Sequence, residues 1–203
     1  MAQIKTIPAI SETRDITVKT AIEKTTLFHG RYAPGVVIGA YMVDLALELL
    51  PISGEKLNAI AESRVCLADA IQIMTGCTLG NKYLHIKDHG RYALCIYGRD
   101  SKRGIRVSID LNKIDSQNTP VLKQFFEGSR SYASIPRPEQ QAMVTQEFLT
   151  VKRDIFKAES VLVNLPTKPP LYALCQCNSC GEYFRPTPTL PQCLCQTEPS
   201  LYS

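Results

Sequence analysis

The chain has 203 residues and a formal net charge of +4, with 44% hydrophobic and 21% charged residues, the balance of an ordinary soluble globular protein. That balance excludes a disordered chain, a collagen and a simple coiled coil, and the length suits one full-sized domain plus a small appendage. The longest apolar stretch, Gly35 to Leu50, carries Asp44 and Glu48 and is too short and too charged to span a bilayer. The opening segment MAQIKTIPAISETRD lacks the basic-then-apolar order of a secretory signal, so a cytoplasmic protein without membrane attachment is expected. In that reducing compartment cysteines serve as metal ligands or buried thiols before they form disulfides.

In chain order, Asp15 to Phe28 has helical apolar spacing (Val18, Ile22, Leu27) and a stop at His29-Gly30. Pro34 opens a second helix, with Val37, Tyr41, Leu45 and Leu49 on one face, and Pro51 ends it. Asn58 to Val65 is strand-like. Leu67 to Met74 is a compact helix, and Thr75-Gly76 supplies its cap. Tyr83–Lys87, Tyr92–Tyr97 and Ile105–Leu111 are predicted as three strands of an antiparallel meander, joined by turns at Asp88-His89-Gly90 and Gly98-Arg99-Asp100-Ser101. A short helix over Val121–Phe126 follows, then a longer one over Glu139–Phe156 and a last strand at Val161–Val163. Helices, then consecutive strands, then helices again predict an α+β fold: an antiparallel sheet core packed with helices. The proline-rich stretch Leu165 to Pro170 marks a boundary between a core domain, 1–165, and a C-terminal domain, 166–203.

Five of the eight cysteines (Cys175, Cys177, Cys180, Cys193, Cys195) lie in the last 29 residues. Cys177-Asn-Ser-Cys180-Gly has the spacing of a zinc knuckle, and Cys193-Leu-Cys195 returns a second pair after twelve intervening residues. Four thiolates suit the tetrahedral, soft-ligand preference of zinc and leave no open position, so one structural Zn2+ is expected. The second pair is C-x-C where C-x-x-C is usual, and Cys175 is a spare thiol able to replace any of the four. Two disulfides, or scattered thiols, are the alternative. From Pro166 onward two basic residues offset two acidic ones, which disfavours a nucleic-acid-binding finger.

Two body segments carry a family resemblance: Phe28-His-Gly-Arg-Tyr-Ala-Pro-Gly35, and Cys66-Leu-Ala-Asp-Ala-Ile-Gln72 continuing to Thr75-Gly-Cys-Thr78. Together with Asp88-x-Gly90-Arg91 and Ile105-Arg-Val107 they resemble the FmdE family, named for a component of formylmethanofuran dehydrogenase, from about Ile16 to Cys195. The resemblance implies an α+β core paired as a homodimer, with an auxiliary treble-clef zinc finger. It also implies association with a larger molybdenum or tungsten dehydrogenase complex that reduces carbon dioxide onto methanofuran in methanogens. Members commonly read FHGHxCPG; here Arg31 and Ala33 replace the second histidine and the cysteine, so two potential core-metal ligands are missing.

A core cleft is expected around His29, Arg31, Cys66, Asp69, Gln72, Thr75, Cys77 and Lys82, either taking a small anionic or polar ligand, because Arg31 repels a cation, or vestigial. The plainer alternatives are a helix-capping His29, buried structural thiols at Cys66, Cys77 and Cys95, and an Asp69–Gln72 pair that only bonds to itself. Between Asn81 and Arg106 seven basic residues face two acidic ones, a run suited to solvated strand edges. No phosphate loop, dinucleotide-binding pattern, iron–sulfur spacing or Ser/His/Asp arrangement is present, so any oxidoreductase role is expected through a partner. The leading expectation is an accessory, FmdE-like zinc protein. The alternatives are a metal-dependent enzyme or metal-handling protein using His29 and Cys66, and a nucleic-acid-binding protein using the basic strands.

Overall fold

The computed structural model describes residues 17–52, 54–128, 136–165, 172–188 and 190–198. The chain divides into two compact units, Met1–Asn164 and Leu165–Ser203. The start of the first predicted helix and the proline-rich segment 166–170 lie outside the described residues. No helix among the described residues is long and apolar enough to cross a membrane.

In the larger unit, helix α1 (Val18–His29) is capped by the Thr17 hydroxyl, which accepts from the Thr20 N–H, and closes at Gly30 with φ of 80°. Helix α2 (Pro34–Leu49) begins on a proline, which has no N–H to leave unpaired in the first turn. The sequence assigns α2 one apolar face, yet ten of its sixteen residues are buried, so it is the central helix of the core. Helix α3 (Leu67–Thr75) crosses α2 closely. A Cβ at Gly39 would lie 3.2 Å from both the Leu67 Cα and the Ala70 Cβ, so any larger residue would push the two helices apart by a few tenths of an ångström.

Strands β1 (Leu57–Ala61), β2 (Leu84–Ile86), β3 (Ala93–Gly98), β4 (Arg103–Ile109) and β5 (Phe156–Leu162) form one sheet in the order β2-β1-β3-β4-β5. The α+β class stands, but the three-strand meander does not. Strand β2 pairs in parallel with β1 at the sheet edge, and β3 pairs antiparallel on the other side of β1. The Asp88–Gly90 turn wraps the end of β1 instead of closing a hairpin: the Glu62 carbonyl accepts from both His89 and Arg91 N–H, at 2.9 and 3.2 Å. Helix α3 is therefore the crossover of a β1-α3-β2 unit inside an otherwise antiparallel sheet.

Two boundaries also move. After helix α4 (Pro120–Glu127), helix α5 (Arg137–Val151) stops five residues before the predicted end at Phe156. Lys152 takes a φ of 44°, a 3-10 turn runs to Ile155, and Phe156 starts β5 opposite Ile109. The predicted strand at Val161–Val163 is only the end of β5. Its earlier residues Lys157 and Glu159 are polar because this edge strand faces solvent there.

The basic run is spread out and largely occupied. Arg99 stacks over the Tyr83 ring at 3.6 Å and donates to the buried Asn58 side chain at 3.1 Å. Arg106 grips Glu62 with two bonds, 2.6 and 2.9 Å, and reaches Glu159 at 3.2 Å. This guanidinium holds the Glu62 carboxyl below its ordinary value, against the opposing effect of burial. A carboxyl depressed on folding stabilises the native state fully above the ordinary range near 4.5, and that contribution is lost as pH falls through the native value. Glu62→Gln is expected to cost about 1–3 kcal/mol at neutral pH and to flatten the acid side of the stability–pH curve, as measured by urea unfolding between pH 3 and 7.

Candidate functional site

His29 is placed by periodicity. Ala21 and Thr25 are the buried residues of α1, and His29 continues their i, i+4, i+8 stripe toward α2 and α3. Cys66 enters from the other side, five residues past the end of β1, as the residue that caps α3. Asp69 follows in the first turn of α3 and Gln72 one turn later, so their side chains share a face.

These four side chains form one connected chain. The His29 Nδ1 lies 2.6 Å from the Asp69 Oδ2, and the His29 Nε2 lies 3.5 Å from the Cys66 Sγ. A carboxylate can only accept, so Nδ1 carries the hydrogen; in the neutral imidazole that leaves the Nε2 lone pair facing the thiol. Gln72 donates to the Asp69 Oδ1 at 3.4 Å and accepts from the Leu79 N–H at 3.2 Å, fixing the carboxylate from behind. The His29 and Asp69 side chains are 17% and 26% exposed, so the pair is shielded yet open to a small molecule.

The sulfur abuts the first turn of α2. A Cβ at Gly35 would meet the Cys66 Sγ at 3.1 Å and the Tyr92 hydroxyl at 2.9 Å. Tyr92 donates that hydroxyl to the Gly35 carbonyl at 2.7 Å, and its ring is held edge-on by Phe126 of α4. Burial pushes the Tyr92 phenol well above its ordinary value, with the nearby Cys66 adding to the effect, so it stays protonated and donates. Burial also raises the Cys66 thiol; its own backbone N–H opposes this, Asp69 adds to it, and the Arg31 charge pulls it back down. Sequence reasoning missed Tyr92, which looks like one more residue of a predicted strand; only the tertiary fold brings it to the sulfur.

The structure gathers His29, Cys66, Asp69 and Gln72, with Arg31 close enough to act on the thiol. It places Thr75, Cys77 and Lys82 at or beyond the far end of α3, roughly 14 Å along the helix axis from Cys66. There the Thr75 hydroxyl donates to the Ile71 carbonyl and accepts from the Cys77 N–H. Cys77 is buried in the apolar core, and Lys82 is exposed with φ of 64°. A shallow cavity of about 530 Å³ lies elsewhere, beside Tyr41 and Asp44 of α2, where Arg153 pairs with Asp44 and Glu48.

In the smaller unit, strands β6 (Cys175–Gln176) and β7 (Tyr183–Phe184) form a hairpin whose tip carries Cys177 and Cys180. Gly181, with φ of 76°, turns the chain so that its N–H reaches the Cys177 carbonyl. The short helix α6 (Leu194–Thr197) explains the C-x-C pair: Cys193 is its extended capping residue and Cys195 lies within its first turn, so both sulfurs face the knuckle. All four ligand atoms lie within 4.8 Å of one another, and among the described residues this is the one such group of three or more His, Cys, Asp or Glu side chains. The 3.5 and 3.7 Å sulfur–sulfur distances approach the roughly 3.8 Å edge of a tetrahedron built on metal–sulfur bonds of about 2.3 Å. Backbone N–H groups of Cys180 and Ser179 pull the Cys177 thiol down to about 6, while neighbouring sulfurs push Cys195 up. Four crowded thiols with one already acidic are suited to binding a metal ion. Cys175 stands outside the cluster, exposed, 3.9 Å from the Ala173 carbonyl.

Comparison with known proteins places this geometry. The chain is similar to a crystal structure of a tungsten formylmethanofuran dehydrogenase FmdE-like protein from Syntrophus aciditrophicus. The TM-score is 0.73 at 30% identity, covering 97% of this chain and 100% of that one. It is 31% identical over 170 residues to an Archaeoglobus fulgidus protein named a "Probable S-adenosyl-L-methionine-binding protein", covering 76% of this chain but only 46% of that longer protein. Residues 28–158, which include His29, Arg31, Cys66, Asp69, Gln72 and Tyr92, match the family described as FmdE, molybdenum formylmethanofuran dehydrogenase operon. The chain belongs to the FmdE family.

Proposed function

We propose that the protein is an FmdE-like accessory protein whose tail holds one structural zinc ion and whose core binds a small anionic or polar ligand. The observation that carries this reading is the contrast between the two cysteine sites. Four sulfurs converge in the tail within 4.8 Å of one another, whereas the core cluster offers one thiol and one imidazole, the latter already engaged by Asp69, beside a guanidinium. Zinc is the metal suited to four thiolates in a closed site, where it serves folding and not catalysis. Arg31 favours negative charge in the cleft. On the family's precedent the protein works as a homodimer beside a dehydrogenase of the formylmethanofuran type. S-adenosyl-L-methionine, from the name of the archaeal relative, is one ligand to test in the cleft.

Metal analysis of the purified chain tests the reading. The expected result is one zinc per chain, lost in Cys177→Ser or Cys180→Ser and retained in His29→Ala. A second equivalent that vanishes with His29→Ala would replace the accessory reading with that of a metal-dependent enzyme.

A further inference from the structure

We infer that Cys66 is a nucleophilic thiol, activated by His29 and Asp69, that accepts an acyl group from a small ester or thioester bearing an anionic group. This rests on the ligand-cleft reading and assigns that cleft a chemistry. Its elements are nucleophile, base and orienting acid in sequence: Cys66 Sγ 3.5 Å from His29 Nε2, and His29 Nδ1 2.6 Å from Asp69 Oδ2. His29 comes from α1, Asp69 from α3 and Cys66 from the position that caps α3. Gln72 holds the carboxylate, so the imidazole keeps its lone pair on the sulfur side.

Burial raises the thiol, so the resting state is a neutral S–H beside the imidazole lone pair, not a free thiolate. The reaction then follows in balanced order. As the sulfur lone pair forms a bond to the carbonyl carbon, the thiol proton passes to His29 Nε2. The bond from that carbon to the leaving oxygen or sulfur breaks, and the leaving group takes the proton from Nε2, departing as a neutral alcohol or thiol. The product is an acyl thioester on Cys66, and no oxidant or reductant is consumed. Positive charge at Arg31 favours an anionic substrate and the developing oxyanion.

The test uses the full-length, metal-loaded chain with p-nitrophenyl acetate as acyl probe and peptide mass mapping as readout. The expected result is a burst of about one equivalent of nitrophenolate with acetyl on the Cys66 peptide, abolished in Cys66→Ser. The acylation rate should drop roughly a hundredfold in His29→Gln. Should His29→Gln fail to fold, Asp69→Asn serves instead: the rate falls there and recovers in part with Asp69→Glu, as expected of a positioning carboxylate. Acetyl spread over Cys175 and other thiols, or an unchanged Cys66 rate in both the His29 and Asp69 variants, would overturn the inference. Inorganic phosphate that raises the melting temperature of the wild type but not of Arg31→Met, without any acyl label, would overturn the nucleophile while leaving the cleft standing. Absence of both signals would remove the cleft as well.

Discussion

Exhaustive chelation of the native chain, or replacement of Cys180 by serine, is expected to strip amide-exchange protection from residues 172–198. The reason lies in what the tail buries. Among its described residues the buried apolar side chains are Cys177 and Cys193, both members of the four-sulfur cluster. A unit of this size cannot exclude enough apolar surface to offset its chain entropy. If the cluster holds a structural zinc, as proposed, such an ion would contribute about 10–16 kcal/mol of apparent binding energy toward folding the unit. Cys175→Ser, outside the cluster, should leave both metal content and protection intact. Protection that survives complete metal removal would show that the hairpin and α6 hold each other without an ion.

Phe148→Ala is expected to be among the most damaging single substitutions in the larger unit. Its ring is fully buried, edge-on to Tyr41 at 5.3 Å and stacked on Phe156 at 6.1 Å. One side chain thus joins α5, α2 and the start of β5. Truncation of such a ring costs about 3–5 kcal/mol, or roughly 6–20 °C in melting temperature for a chain of this length. Leu162→Ala is the matched control: the side chain is 76% exposed, and a change of at most about 0.5 kcal/mol is expected. Differential scanning calorimetry of the two variants separates these outcomes, and equal losses would contradict the packing described.

How much of this was legible in the sequence depends on the range of the interactions. Helices α2 and α3 could be read because their boundaries are local: Pro34 and Pro51 bracket one, Gly76 closes the other. The sheet order could not. The Asp88–Gly90 segment has the composition of a hairpin turn, and only the carbonyl of Glu62, 26 residues earlier, makes it wrap β1 instead. The predicted helix ran on to Phe156 because Val151 and Ile155 continue its spacing; the break at Lys152 lies in its backbone angle, which the sequence does not flag.

The site divides the same way. His29, Cys66, Asp69 and Gln72 were found because short motifs hold them together. Thr75 and Cys77 were grouped with them by proximity in sequence, which does not register the length of a helix between. Tyr92 carries no local signal at all. The C-x-C pair was legible as ligands but not as geometry, since its spacing makes sense only with Cys193 in front of α6 and Cys195 inside it.

The contact between Gly35 and the Cys66 sulfur makes the two positions epistatic. A methyl group at 35 would strike the sulfur, the Cys66 Cβ at 3.2 Å and the Tyr92 hydroxyl together, and a cysteine side chain is too short to swing aside. Removing the sulfur alone would not make room for alanine at 35, because the Tyr92 hydroxyl is the tightest of the three approaches, at 2.9 Å. Residues 35, 66 and 92 are thereby tied to change together, through one crowded point of packing.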